Sequence, residues 1–132
     1  MTGSIKRLHT RTSLSKRYGV TTNAIKFWYN PAGVIPPRKK GGFFREKDIE
    51  SLDYIYVANR YCKLTFREYE CNVLPKGGLE EYIMDANKIS LKDFLLDPEY
   101  TDQDDIVVQD ILRRIASDDT YQSDGFRVKD AA

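Results

Sequence analysis

Apolar positions recur along this chain at helical spacing, and polar or Gly/Pro-containing breaks divide them into a series of short segments. Residues 1–11 carry no apolar period and read as a basic arm. A short helix fits Ser13 to Tyr18, capped by Thr12 or Ser13 and stopped by Gly19, a residue suited to the left-handed backbone that follows a helix. Thr21 can cap a second helix from Thr22 to about Asn30, with Ala24, Ile25 and Trp28 on one face and Asn23, Lys26 and Phe27 on another. Asn30-Pro31 is expected to end it. Two short helices joined at Gly19-Val20-Thr21 make a helix-turn-helix, whose second helix can enter the DNA major groove.

Residues 36–45 place four cations, Arg38, Lys39, Lys40 and Arg45, around a Gly41-Gly42 turn between Pro and Phe, the pattern of a basic hairpin or wing. Glu46 to Tyr61 reads as a longer helix, with Ile49, Leu52, Ile55 and Tyr56 at helical spacing. Thr65 to Glu68 is a capping box, with Leu64 and Tyr69 placed as a hydrophobic staple, so a further helix is expected to about Leu74. Pro75-Lys76-Gly77-Gly78 breaks it and marks a domain boundary. Three shorter helices then follow: Leu79 to Asn87; Leu91 to Leu96 behind a Ser90 to Asp93 box; and Asp102 to Ser117 behind a Thr101 to Asp104 box. Ile106, Val107, Ile111 and Ile115 form a stripe on the last of these, fit to dock on something. Residues 118–132 read as a disordered tail.

Charge changes this picture. The chain of 132 residues has a formal net charge of only +1, but up to Lys76 it carries fifteen Lys and Arg against six Asp and Glu, and beyond that six against fourteen. The first forty-five residues hold ten basic residues and no acidic one. So one-signed a stretch favours a polyanion as partner over a merely solvated basic face. The longest apolar run, Tyr54 to Ala58, is far short of the ~20 residues of a membrane-spanning helix, and no signal segment opens the chain, so a cytoplasmic, nucleoid-associated protein without a membrane partner is expected.

Several anchors now occur in order. They are Ser13 to Tyr29, with Gly19-Val20-Thr21 followed by Ile25-Lys26-Phe27-Trp28-Tyr29, then Gly33-Val34-Ile35-Pro36-Pro37, then Phe44-Arg45-Glu46-Lys47-Asp48-Ile49. Over about residues 12–74 this resembles the DNA-binding domain of the MerR superfamily, including its excisionase-like members. The resemblance implies a mainly α, winged helix-turn-helix fold over residues 12–76, followed by a small acidic helical extension over 77–117. It also implies double-stranded DNA as partner. Thr21 and Lys26 take positions that contact the phosphate backbone, with Thr22 beside them; Asn23 takes a base-reading position and Phe27 the first of two Tyr positions. Arg38, Lys39, Lys40 and Arg45 would lie near phosphates in the wing, and Lys16 and Arg17 complete the candidate set. The sequence departs from the pattern in its short wing, in Tyr29 and in the Asn30-Pro31-Ala32 link, and Pro75, Gly77, Gly78 and Pro98 preclude the long dimerisation helix of the family's regulators.

A transcriptional regulator is therefore expected. The alternatives are a mobile-element excisionase or terminase small subunit that bends or marks DNA, and an adaptor whose region 79–117 self-associates or recruits a protein partner. Catalysis is not expected: no nucleotide-binding glycine loop, HExxH or GxSxG pattern occurs, and His9 has no nearby acid in sequence. No cofactor or metal is expected either. Cys62 and Cys71 have no metal-ligand spacing and read as core residues, as does Trp28, while Phe27 and Phe43 stand open as base-stacking candidates. Tyr54, Tyr56 and Tyr61 read as half-buried. The Asp102, Asp104, Asp105 cluster lacks the Gly and terminal Glu of a calcium loop and suits a helix start.

Overall fold

The computed structural model describes residues 9–39 and 41–117. Lys40, most of the basic arm and the tail expected to be disordered lie outside the described residues. The fold is mainly α-helical, with no named strand among the described residues and a single isolated antiparallel bridge, His9 to Phe44. The chain divides into two compact units, Met1–Tyr82 and Ile83–Ala132, a few residues beyond the boundary read from the charge reversal.

In the first unit, α1 spans Arg11–Tyr18 and α2 spans Thr22–Ala32. The α1 cap is Thr10 rather than Thr12 or Ser13. Its side chain accepts from Ser13 N–H while the Ser13 hydroxyl accepts from the Thr10 N–H, a capping box built with Ser where Glu or Gln is usual. Gly19, at φ 64°, closes the helix, with Val20 N–H bonded back to the Ser15 carbonyl. Thr21 caps α2 by accepting from Ala24 N–H at 3.1 Å.

Asn30-Pro31 does not end α2. Pro31 lies one residue before the end, so it forfeits a single i→i−4 bond and no further turn has to be built past it, and the helix runs on to Ala32. Gly33, at φ 70°, then stops it: Gly33 N–H reaches the Asn30 carbonyl and Val34 N–H the Tyr29 carbonyl, a Schellman closure. A Cβ at Gly33 would meet nothing within 4 Å, so the requirement for glycine there is backbone conformation rather than space.

The long helix α3, Glu46–Tyr61, supplies Ile49, Leu52, Ile55, Tyr56, Val57 and Ala58 to the core. Leu14 and Tyr18 of α1 and Ile25 and Trp28 of α2 complete it, with Tyr18 and Trp28 ring centroids 5.4 Å apart. Tyr56 is fully part of this core; only Tyr54 and Tyr61 are half-buried. After the expected Thr65–Glu68 capping box, α4 keeps α-helical geometry only over Phe66–Glu68. It widens to a π turn over Tyr69–Val73 and tightens to a 3-10 turn over Leu74–Lys76. Pro75 lacks the N–H that an α register would require, and the shift to i→i−5 bonding just before it accommodates the loss. Leu64 and Tyr69 are both buried, as a staple requires.

The division between the units falls inside α5, Leu79–Asn87; α6 covers Leu91–Leu96 behind a Ser90 cap. The last helix, α7, covers 106–117 rather than starting at Asp102. Asp102 and Asp104 form a side-chain-stabilised turn, and Asp105 is the cap, accepting from Val107 N–H at 2.9 Å. The α7 stripe is also corrected: Val107, Val108 and Ile111 are fully buried, Ile106 is exposed and Ile115 half-buried. Val107, Val108 and Ile111 are thus used in the chain's own packing. No helix among the described residues is long and apolar enough to cross a membrane.

Candidate nucleic-acid interface

Three segments of the first unit border one cleft of ≈ 530 Å³: the start of α1 (Thr10, Arg11, Thr12), the start of α2 (Thr22) and residues 37–44. Its charged lining is entirely basic, from Arg11, Arg38 and Lys39, all exposed. The leading N–H groups of a helix have no intrahelical acceptors and carry partial positive charge, so two helix starts add to the field of the cations. The arrangement suits an anion such as a phosphate.

Among the described residues of the segment 34–45 no strand pair forms. Phe44 is tied to His9 by its N–H, which donates to the His9 carbonyl at 2.8 Å, and its ring packs on Tyr29 with centroids 5.7 Å apart. Gly42 N–H closes a turn onto the Lys39 carbonyl at 2.9 Å. A Cβ at Gly42 would come within 2.6 Å of Pro37 Cβ, so only glycine permits this approach, which holds Arg38 and Lys39 at the cleft.

Along α2, Thr21, Thr22, Asn23, Lys26 and Phe27 are all exposed, whereas Ile25, Trp28 and Tyr29 are buried. The candidate reading face is therefore available to solvent. Phe27 does not stand alone: its ring stacks on Phe66 of α4, with centroids 5.4 Å apart and planes 20° apart. Lys16 is exposed on α1.

Two predicted cations are differently used. Arg17 is withdrawn from the set of phosphate contacts, because its side chain is only 6% exposed and its guanidinium forms a two-point ion pair with Asp53. Arg45 is exposed but lends two donors to Asp48, Nε and Nη2 each at 3.1 Å, and this carboxylate holds the guanidinium pKa above its ordinary value. Arg11 was missed by sequence reading because it fell inside the presumed arm. The signal that finds it is Thr10-x-x-Ser13, a box with an atypical partner.

Both cysteines are free thiols. No group of three or more metal-binding side chains occurs among the described residues. Cys71 is exposed, contrary to its expected core position, while Cys62 is partly buried and its thiol is pushed up to about 11 by that burial. Compared with known protein families, curated proteins and solved structures, the chain matches none.

Proposed function

We propose that the chain is a MerR-like winged helix-turn-helix protein that binds duplex DNA sequence-specifically and acts as a transcriptional regulator. In this reading α2 enters the major groove, Asn23 reads base edges, and Thr21, Thr22, Lys26, Arg38, Lys39 and Arg11 meet phosphates, with residues 36–45 as the wing. The observation that carries it is the cleft whose charged lining is wholly basic and into which the starts of α1 and α2 and the glycine-turned segment converge. A backbone phosphate satisfies that combination, and the exposed face of α2 lies on the helix whose first residue borders it.

A mobile-element role, as an excisionase or terminase small subunit that bends or marks DNA, is the second reading. It is favoured by the short helices beyond α3: among the described residues none there exceeds the span 106–117, and a long dimerisation helix is not among them. The test of the shared core is anisotropy of a labelled mixed-sequence duplex against salt. Binding at ~50 mM salt that weakens with a log–log slope of about −0.9 per phosphate contact supports it. Absence of binding at that salt contradicts it.

A further inference from the structure

Asn23, Phe27 and Asn30 lie at i, i+4 and i+7 on α2, one exposed line along the helix with an aromatic ring between two carboxamides. Phe27 keeps 54% of its surface open although it stacks on Phe66. The stack matters because it fixes the ring: a lone exposed Phe would sample several rotamers, whereas one lying nearly parallel to a neighbour from another helix presents a defined apolar surface. The surroundings are polar and mixed in charge. Lys26 is the exposed neighbour in sequence, the Arg67 guanidinium carbon lies 5.9 Å from the Phe66 ring centroid, and α2 itself holds no carboxylate. The Asn30 amide donates to the exposed Glu70 carboxylate at 3.4 Å.

We propose that the Phe27–Phe66 pair is a base-reading element in which the open ring of Phe27 receives the C5 methyl group of a pyrimidine, thymine or 5-methylcytosine, in the major groove. That methyl is the one apolar group on the major-groove edge of a base pair, and phenylalanine is suited to it. Asn23, one turn earlier, is suited to adenine through its two-point amide, so the line reads A·T-containing steps by a hydrogen-bonding contact followed by an apolar one. Phe66 does not touch the base; it is a positioning residue that holds Phe27. This assignment rests on the duplex-DNA reading above and adds to it which base feature is recognised.

The test uses the full chain and a duplex enriched from a randomised pool, remade with deoxyuridine at each thymine in turn. This removes the methyl and leaves every hydrogen-bonding group in place. The wild-type protein is expected to bind about fourfold more weakly at one or two of these positions, the value of burying one methyl group. At a cytosine variant of the same position, 5-methylcytosine recovers about that factor if the methyl alone is read. Phe27→Ala is expected to bind the thymine and deoxyuridine duplexes equally with its salt slope unchanged. Phe66→Ala is expected to do the same, whereas a merely structural Phe66 would lower all binding in proportion. Wild-type indifference to deoxyuridine, or discrimination retained in Phe27→Ala, overturns this inference, while an enriched motif keeps the DNA reading intact. A pool with no enriched motif removes both.

Discussion

Arg17 and Asp53 are joined by a two-point ion pair, Nε to Oδ1 at 3.0 Å and Nη2 to Oδ2 at 2.8 Å, that fastens α1 to the middle of α3. The Tyr18 hydroxyl donates to the same carboxylate at 2.6 Å, so two successive residues of α1 converge on one wholly buried anion. A pair of this kind fixes register more than it adds stability, because removing two charges from water offsets much of their attraction. Its consequence is positional: α1 is held where its start can border the basic cleft.

Breaking the pair on one side leaves the other charge buried. Asp53→Ala is expected to destabilise the fold by about 3–5 kcal/mol, read as a shift in urea midpoint, and Tyr18→Phe by about 1–2 kcal/mol. A loss below ~1 kcal/mol in Asp53→Ala would mean that Arg17 finds solvent when freed.

The three cleft cations, and Lys26 on the exposed face of α2, should behave differently from Arg17. Arg11→Ala, Lys26→Ala, Arg38→Ala and Lys39→Ala are each expected to weaken binding to all duplexes and to reduce the salt slope by about 0.9, with unfolding midpoints nearly unchanged. A variant whose slope equals that of the wild type does not contact a phosphate.

Asn23→Ala is expected to flatten base preference at one or two positions, losing about 1–3 kcal/mol of discrimination while non-specific affinity stays within about twofold. Equal weakening on every sequence would place Asn23 on the backbone instead.

Burial favours the neutral forms of three groups. It raises the Cys62 thiol to about 11 and, with a smaller contribution from Tyr54, the Tyr69 phenol to about 12, and it raises Tyr18 further still, with the Asp53 charge next in importance. The unfolded chain therefore releases these protons first as pH rises past the ordinary values of 9.0 and 10.0. Stability is fully present below pH ~9 and then falls by about 1.4 kcal/mol per pH unit for each such proton. Urea midpoints across this range check it: Cys62→Ala should delay the decline, and a flat profile to pH ~11 would contradict it. In the folded protein at pH ~8, iodoacetamide should alkylate the exposed Cys71 well before Cys62.

Much of this was legible in the sequence because the signals were local. Glu46–Tyr61, Leu79–Asn87 and Leu91–Leu96 begin and end where periodicity and caps put them. The errors arose where two local rules competed. Asn30-Pro31 resembles a stop, but Gly33 two residues on offers a complete Schellman closure and prevails. Thr101 and Asp105 both suit a cap; Thr101 is instead buried, donating its hydroxyl to the Leu95 carbonyl, which leaves Asp105 to start α7. The fate of Arg17 was not legible, since its carboxylate partner lies 36 residues away and only the tertiary fold brings them together. On α2 the exposed set is the polar positions plus Phe27, and the Phe66 that steadies Phe27 is likewise distant in sequence.

Sequence-specific recognition of duplex DNA is decided by selection from a randomised duplex pool at ~150 mM salt, where non-specific binding is suppressed and base readout survives. One enriched motif containing A·T pairs is expected, with preference flattened at one or two of its positions in Asn23→Ala. A pool that stays unenriched, with binding that vanishes as salt rises, would contradict it and reduce the basic unit to a non-specific polyanion binder.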